Sequence, residues 1–318
     1  MSVYTQLDTH QFESILSQYN LGRLQSFEGV AAGIENTNYK IQLCTADNQQ
    51  VYFLTIFEHL DKHALDFFIP FLAHLKQQGC ALPAPKAKIN GEFLFKTQNK
   101  WGVIFECLDG HHLDTIEACH GFTIGAELGK IHQASLNYKQ AHSNPRGFYW
   151  LQKQASNPSL NIVPSDRELL MNEMANMQQH WQNWSANNEL KKSFIHGDLF
   201  IDNCLFLPNG ELSGVIDFYA GGFDFCVYDI AICIMAWAQT PNHHLNKNIA
   251  DAIIKGYESV RPLSASEHEA LPYFIRLGVL RFWVSRLVAQ SQQQTASLTT
   301  HKNPDHMKQL LLNLSDSN

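Results

Sequence analysis

Three side chains with oxygen atoms suited to metal and proton chemistry occur at a fixed spacing in one short part of the chain. The segment "SFIHGDLFIDNCLF" (193–206) places Asp198 five residues before Asn203, and "GVIDFYAGG" (214–222) adds Asp217. Between them, "LPNGELSG" is a turn flanked by apolar residues, which predicts a hairpin of two short strands. Asn203 and Asp217 are then expected at neighbouring ends of these strands, close enough to share a cation.

The spacing from Asp198 to Asn203 is that of the catalytic motif of protein kinases, in which the aspartate is a base and the asparagine binds metal. A second aspartate also binds metal there, and Mg²⁺ needs few protein oxygens because water and phosphate oxygens fill its other positions. The alternative is that Asp198 and Asp202 are turn residues and Asp217 is a strand-end carboxylate. A carboxylate between two apolar residues of a strand is costly to bury without a charged partner, which favours the metal site.

Two neighbours of these residues are better explained as supports. We expect His196 to form hydrogen bonds beneath the loop rather than to carry a proton. Asp229, at the start of the apolar run "IAICIMAWA", is expected to cap that helix and to brace the loop. Neither is expected to be a catalyst.

Hydrophobic periodicity divides the chain into a β-rich beginning and a helical remainder, joined by "ECLDG" (106–110). This order predicts an α+β fold with a small antiparallel sheet lobe, 1–107, and a larger helical lobe, 108–318. A cleft between two such lobes is a usual ligand site. Strands are expected at 22–30, 39–44, 51–58, 92–98 and 100–108, and helices at 8–19, 61–79, 120–135, 165–184, 225–239, 245–257, 266–293 and 303–315.

Composition excludes several classes of function. The chain has 318 residues and a formal net charge of −7, without the basic stripe that nucleic-acid binding requires. Its longest apolar run, 230–238, is far short of the roughly 20 residues that span a membrane, and its polar beginning is unlike a signal peptide. The seven cysteines contain no CxxC pair, which indicates reduced thiols in a cytoplasmic protein.

Motifs spread over nearly the whole chain make it resemble a known family. It is similar to the aminoglycoside-phosphotransferase-like small-molecule kinases, which carry HGDxxxxN and IDF motifs, and within them to the homoserine kinases of that fold. The HGDxxxxN and IDF pattern is specific for the kinase fold, and the other stretches narrow the resemblance to homoserine kinases. The matching stretches are "GIENTNY" (33–39), "FLTIFE" (53–58), "LPAP" (82–85), "NPRGF" (144–148), "HGDLFIDNCLF" (196–206), "GVIDFYAGGFDFCVYDIAI" (214–232), "VLRFWVSRL" (279–287) and "KNPDHMKQLL" (302–311).

The resemblance implies a two-lobed protein-kinase-like fold that binds ATP and Mg²⁺. It makes Asp198 the base and makes Asn203 and Asp217 the metal ligands. It places the loop Gly29–Asn38 over the ATP phosphates, and it makes "FECL" (105–108) the hinge whose backbone pairs with adenine. The residues implied to bind the nucleotide are Gly33, Asn36, Asn38, Thr55, Glu106 and Leu108.

One position departs from the kinase pattern. Thr55 stands where kinases usually keep a lysine on the third strand for the ATP phosphates, and the helix 61–79 has no clear glutamate to pair with such a lysine. The phosphate charge is then met by Mg²⁺, by loop amides or by another cation such as Lys40. A pseudokinase scaffold would explain Thr55, but it would not explain why the three residues of the catalytic motif are intact.

An amino-acid acceptor needs partners for its carboxylate and its ammonium group. Arg281 lies among apolar residues of a predicted helix, where a guanidinium needs a planar anion such as a substrate carboxylate. The alternative for Arg281 is a buried ion pair with Asp224 or Asp229. Asp224 is a candidate ligand of the ammonium group, or else a loop brace, and Arg146 and His132 are further candidates.

These observations predict a homoserine kinase whose partners are ATP and L-homoserine, with no nucleic acid or membrane partner. The chain is expected to be a monomer or a homodimer. The alternatives are a kinase of another small hydroxylated compound, such as choline, an aminoglycoside, a methylthio-sugar or a fructosamine, and a pseudokinase that acts as a scaffold.

Overall fold

The computed structural model describes residues 4–30, 36–46, 48–136, 138, 142–292 and 302–315. Contacts between Cα atoms divide the chain into two compact units. The first consists of Met1–His111 and Leu205–Ile216, and the second of His112–Cys204 and Asp217–Asn318. The expected lobes, 1–107 and 108–318, and the functions given to them stay predictions.

The first unit is built on a five-stranded antiparallel sheet in the order β1-β2-β3-β5-β4. Alternate residues of β2, including Tyr39 and Ile41, are buried in a core that also contains Phe12 and Ile15 of α1. The intervening residues, such as Lys40, point to the other face, as the two-residue period of a strand requires. The elements are α1 (Thr9–Leu16), β1 (Arg23–Val30), β2 (Asn36–Cys44), β3 (Gln49–Phe57), α2 (Lys62–Gln77), β4 (Phe95–Thr97) and β5 (Lys100–Glu106).

The second unit is helical, as predicted, with one short pair of strands. Strand β6 pairs antiparallel with β9 and leads directly into the segment that contains Asp198. The predicted hairpin, β7 (Cys204–Phe206) with β8 (Leu212–Val215), lies almost wholly in the segment Leu205–Ile216 of the first unit. The remaining elements are α3 (Ala118–Ser135), α4 (Phe148–Ala155), α5 (Pro164–Asn187), β6 (Lys192–Ile195), β9 (Gly222–Phe225), α6 (Cys226–Trp237), α7 (Lys247–Glu258), α8 (Ala265–Gln292) and α9 (Pro304–Ser315).

The fold class predicted from the sequence, α+β with an antiparallel sheet and a helical part, is confirmed. Three elements were not predicted: helix α4 and the paired strands β6 and β9. The hairpin is shorter than expected, because β8 ends at Val215 and leaves Asp217 outside the strand. Within the described ranges, no helix is long and apolar enough to cross a membrane.

Glycines allow helices α3 and α7 to lie unusually close together. A Cβ atom at Gly125 of α3 would meet the carbonyl oxygen of Ile253, and one at Gly256 of α7 would meet that of Phe122. Each backbone therefore occupies the space that a side chain on the other helix would need. This close packing fixes α3, whose residue His132 lies beneath the site described next.

Candidate active site

The residues around Asp198 form a tight loop after strand β6. The amide nitrogen Nδ2 of Asn203 donates to the backbone oxygen of Asp198 at 2.8 Å and lies 3.5 Å from its carboxylate oxygen Oδ2. The carboxylate of Asp198 is one-third exposed. Gly197 has φ +73°, and a Cβ there would lie 3.1 Å from the carbonyl oxygen of Ala220, so the turn needs glycine at this position. The loop thus brings Asp198 and Asn203 together and leaves the Asp198 carboxylate accessible.

Asp229 holds this loop from the protein interior. Its carboxylate accepts hydrogen bonds from the backbone N–H groups of His196 (2.6 Å) and Gly197 (2.9 Å). Burial alone would raise the pKa of Asp229, but the hydrogen bond and charge of His132 outweigh it and lower that pKa below its ordinary value. The expected bracing role agrees with this geometry. The expected helix cap does not, because the residue before α6 is Phe225 and Asp229 lies in the first helical turn.

His132 lies in the interior rather than at an acceptor site. It is fully buried, with Nε2 3.1 Å from Asp229 Oδ2 and Nδ1 2.7 Å from the hydroxyl of Tyr257. Burial lowers the pKa of His132, but Tyr257, Cys226 and Asp229 together raise it well above its ordinary value. Because both ring nitrogens are engaged away from solvent, the prediction that His132 contacts the acceptor is wrong, and His132 supports Asp229 instead.

Asp217 lies beside the same loop but is not buried. It follows β8, has φ 64° and ψ 58°, and precedes a single turn of 3₁₀-helix, Phe218–Ala220. The ring of Phe218 lies 4.7 Å from the ring of His196. Asp217 is exposed. The sequence argument for a metal site at Asp217 assumed that its carboxylate is buried, and that assumption is wrong, although the residue adjoins the expected loop.

The side-chain oxygen atoms of Asn203 and Asp217 are ligands of a type that fits Mg²⁺. Asn203 donates from its amide nitrogen to Asp198, and its amide oxygen is of the hard ligand type that Mg²⁺ prefers. No group of three or more His, Cys, Asp or Glu side chains in the described ranges is arranged to hold a metal by itself. A site of one amide and one carboxylate suits a hard cation that keeps water and phosphate oxygens as its other ligands.

Arg281 of α8 is the charged group nearest to the predicted base. Its Nη1 lies 3.7 Å from Asp198 Oδ1, and the side chain is 95 % buried. Nη1 has no hydrogen-bond partner among the described residues. The expected alternative, an ion pair with Asp224 or Asp229, is wrong, because the carboxylate beside Arg281 is that of Asp198.

Asp224 and Arg146 are connected through Asn144. Asp224, in β9, is buried and accepts hydrogen bonds from Asn144 Nδ2 and from the backbone N–H of Phe225, both at 2.8 Å. Burial raises the pKa of Asp224, although these two hydrogen bonds act in the opposite direction. Asn144 Oδ1 in turn accepts the backbone N–H of Arg146 at 2.9 Å. This is the geometry of a loop brace, and contact of Asp224 with an ammonium group stays a prediction.

The expected nucleotide residues of the first unit lie on the sheet and after β5. Asn38 is opposite Thr55 in the β2–β3 ladder, and the Thr55 hydroxyl donates to Asn38 Oδ1 at 2.8 Å. Asn36 begins β2, while Gly33 lies outside the described residues.

At the predicted hinge, the backbone N–H of Glu106 donates to Ala84 O at 2.9 Å and is therefore not available to adenine. The Glu106 carboxylate pairs with Lys86 at 2.9 Å and Lys76 at 3.4 Å. Leu108 follows β5 by two residues. The roles of these residues stay predictions.

The sequence did not predict that Lys302 forms an ion pair with Asp202 of the catalytic loop. Lys302 Nζ lies 3.1 Å from Asp202 Oδ2 and 5.0 Å from the centre of the Phe200 ring. Arg286 donates to the backbone oxygen of Asn303 at 2.9 Å. The stretch "KNPDHMKQLL" was noted only as part of the family resemblance, and nothing in one sequence pairs Lys302 with an aspartate 100 residues away.

Comparison with known proteins gives matches over almost the entire chain. The profile of the phosphotransferase enzyme family matches residues 26–263. Homoserine kinase from Neisseria meningitidis serogroup B is 37% identical over 316 residues, 99% of this chain and 100% of that protein. Homoserine kinase from Polaromonas naphthalenivorans is 34% identical over 312 residues, 98% of this chain and 97% of that protein.

Solved structures show the same fold at much lower identity. Amicoumacin kinase hAmiN, in complex with AMP-PNP, Ca²⁺ and Ami, superposes with a TM-score of 0.69 at 15% identity, covering 98% of this chain and 93% of that one. Choline kinase LicA from Streptococcus pneumoniae superposes with a TM-score of 0.63 at 14% identity, covering 97% and 100%. These likenesses establish the kinase-like fold and no more.

Proposed function

Because this chain belongs to the phosphotransferase enzyme family and, within it, to the homoserine kinases, we propose that it transfers the γ-phosphoryl group of ATP to the side-chain hydroxyl of L-homoserine. The observation that carries the proposal is the 37% identity to a homoserine kinase over 99% of the chain. The product is O-phospho-L-homoserine, an intermediate of threonine synthesis. All seven cysteines are free thiols, which supports a reducing, cytoplasmic setting.

Asp198 is the base in this proposal. The homoserine hydroxyl oxygen forms a bond to the γ-phosphorus while the bond from that phosphorus to the β–γ bridging oxygen breaks, and the hydroxyl proton passes to Asp198. The carboxylate has the exposure needed to meet a substrate, and its backbone is fixed by Asn203 and, through His196 and Gly197, by Asp229. A fixed base spares the reaction the entropic cost of orientation.

Asn203 and Asp217 are the residues that would hold Mg²⁺. When bound there, the ion supplies charge neutralisation for the phosphate oxygens. The residues of the first unit that would bind ATP are Asn36, Asn38 and Thr55 on the sheet, together with the backbone of Glu106 and Leu108. The phosphate loop that contains Gly33 completes this set.

The test is an assay of ADP release with L-homoserine, choline and an aminoglycoside as acceptors. We expect turnover with L-homoserine and a loss of about 10²–10⁴-fold in kcat in the Asp198→Asn variant, the range for a removed general base. ATP binding measured by calorimetry should be nearly unchanged. Asp66→Asn, which alters an exposed aspartate of α2, is the control and should keep full activity. Turnover with choline but not with homoserine would overturn the proposal.

A further inference from the structure

Arg281 carries a charge that the described protein leaves incompletely paired. Its side chain is 95 % buried, and Nη1 has neither solvent nor a hydrogen-bond partner among the described residues. The nearest carboxylate, Asp198, is 3.7 Å away, beyond hydrogen-bond distance. Burying a cation in this way is costly unless an anion completes its coordination. The site is therefore built to receive a further acceptor of hydrogen bonds beside the base.

A second guanidinium lies close to the first. Arg146 Nη1 is 3.5 Å from the hydroxyl of Ser285, which lies on α8 one turn after Arg281. Burial lowers the pKa of Arg281, and the positive charge of Arg146 lowers it further, whereas Asp198 and Tyr228 act to raise it. Arg281 is thus accompanied by a second guanidinium, that of Arg146, whose residue is exposed.

The backbone that carries Arg146 is held in place. Asn144 accepts its N–H and donates to the buried carboxylate of Asp224. A Cβ atom at Gly147 would lie 3.0 Å from Asp224 Oδ2, which shows how closely this loop is fitted to β9. The guanidinium lies 4.9 Å from the ring of Trp150. The backbone of Arg146 is therefore fixed, while the residue itself is exposed.

We propose that Arg281 and Arg146 form an anion subsite that binds the carboxylate of the acceptor, so that the enzyme selects hydroxylated compounds carrying a negative charge. This inference rests on the proposed function and specifies its substrate class. The carboxylate accepts the unpaired Nη1 hydrogen bond of Arg281, and the same guanidinium lies beside Asp198, so binding of the anion places the acceptor next to the base. A cationic acceptor without a carboxylate leaves Arg281 unpaired.

The test compares acceptors that differ only in their charged groups. L-Homoserine has a carboxylate and an ammonium group, 4-hydroxybutanoate keeps only the carboxylate, and 3-aminopropan-1-ol keeps only the ammonium group. In the wild-type protein we expect kcat/KM for 3-aminopropan-1-ol to fall by about 10²-fold or more relative to L-homoserine, the scale of removing one partner of a buried charged pair. 4-Hydroxybutanoate should be the better of the two analogues.

The second part of the test replaces the two arginines and measures the same acceptors. Arg146→Met leaves the contact between Arg281 and Asp198 in place. It should raise KM for L-homoserine about three- to tenfold, as expected for a partly exposed ion pair, with kcat and the KM for ATP unchanged. The kcat/KM of this variant for 3-aminopropan-1-ol should stay within about twofold of the wild-type value.

Arg281→Met should lose more activity with L-homoserine than Arg146→Met, and Arg281→Lys should recover part of that activity. Arg167→Met, which removes an arginine bound to backbone carbonyls of the same unit, is the control.

The outcomes separate this inference from the proposed function. Equal loss with both L-homoserine and 3-aminopropan-1-ol in Arg146→Met, or equal wild-type kcat/KM for these two acceptors, would overturn the anion subsite while homoserine phosphorylation stands. If the wild-type protein does not phosphorylate L-homoserine, the proposed function fails. The preference between 4-hydroxybutanoate and 3-aminopropan-1-ol then decides the anion subsite independently.

Discussion

Asp217 adopts a left-handed backbone conformation, φ 64° and ψ 58°, that few residues other than glycine, asparagine and aspartate tolerate. Strain of this kind persists where a site requires it. The exposed carboxylate that results is suited to meet a ligand rather than to support the fold. This agrees with the metal-binding role proposed for it.

Asp217→Asn tests this role, because asparagine keeps the size of the side chain and accepts the same backbone conformation. We expect the Mg²⁺ concentration for half-maximal activity to rise at least about tenfold, a scale reached even when an outer partner of a metal site is lost. Urea unfolding without Mg²⁺ should be unchanged. The measurement is activity against Mg²⁺ concentration, with Asp66→Asn as control. An unchanged Mg²⁺ dependence would remove Asp217 from the metal site.

For single residues, the sequence was most informative where the interacting groups are close together in the chain. Asp198 and Asn203 are five residues apart, and the same short loop joins them by a hydrogen bond. The role of His132 was predicted incorrectly because its partners, Asp229 and Tyr257, lie 97 and 125 residues away in the chain. The sequence likewise could not predict that Arg281 lies near Asp198 rather than near Asp224, because this depends on how α8 crosses the loop.

Helices α3 and α7 touch through glycine, and this contact supports a prediction about stability. Gly125→Ala places a methyl group against the carbonyl oxygen of Ile253, which cannot move without shifting α7. We expect a loss of about 1–3 kcal/mol in the free energy of unfolding, as for other overpacked interiors.

Gly278→Ala in α8 is the matched control, because its Cβ would meet only ordinary contacts, the nearest at 3.6 Å from Ile232. This variant should be neutral or gain up to about 1 kcal/mol from the higher helix propensity of alanine. Urea unfolding of the two variants measures the difference. Equal effects at both positions would show that the helices can separate at little cost.

The segment before α9 touches the catalytic loop through Lys302 and Asp202, and both side chains are more than half exposed. An exposed ion pair contributes little to stability, so Lys302→Met should leave the unfolding free energy within about 0.5 kcal/mol. It should nevertheless lower kcat about three- to tenfold, because Asp202 precedes Asn203 and small displacements of catalytic groups slow reactions. Lys62→Met, which breaks an exposed pair of α2, is the control. An unchanged kcat in Lys302→Met would mean that the pair serves no purpose in catalysis.

Elements with clear periodicity were predicted well, and short ones were not. The apolar spacing of α2 and α3 marked them as helices, because each buries one continuous stripe. Helix α4 has eight residues and follows "NPRG", which reads equally well as a loop. Strand β9 has four residues and is defined by its pairing with β6 and with Ser143, so its own sequence carries little sign of it.

For the molecule as a whole, the change from strands to helices near residue 113 was visible in the sequence. The assignment of residues 205–216 to the first unit was not, because it depends on contacts such as the hydrogen bond from Val215 N to Ala81 O at 2.8 Å. Local patterns predict where elements lie along a chain. They do not predict which distant segments an element joins.

The buried pair of His132 and Asp229 makes the stability of the whole protein depend on pH. The pKa of His132 is raised in the folded state, so the stability from its charge is fully present below its unfolded pKa of about 6.5 and is lost as pH rises through the folded pKa. The pKa of Asp229 is lowered, so its contribution is present above an unfolded pKa of about 3.9 and is lost as pH falls through the folded pKa.

Urea unfolding between pH 6 and pH 9 tests this dependence. The wild-type protein should lose stability as pH rises above about 6.5, at up to about 1.4 kcal/mol per pH unit from this residue. His132→Gln should be less stable at pH 6 and should show a flatter dependence. His268→Gln, which alters a half-exposed histidine near Glu258, is the control. Parallel curves for wild type and His132→Gln would mean that His132 is neutral in the folded protein.

Chemistry and recognition are assigned to different kinds of element in this chain. The groups proposed to transfer the phosphate lie on a loop whose backbone is hydrogen-bonded to the interior, whereas Arg281 and Ser285 lie on successive turns of one helix. Evolution or engineering can therefore exchange those helix positions, together with the loop of Arg146, to admit a differently charged alcohol while the backbone of the catalytic loop keeps its supports.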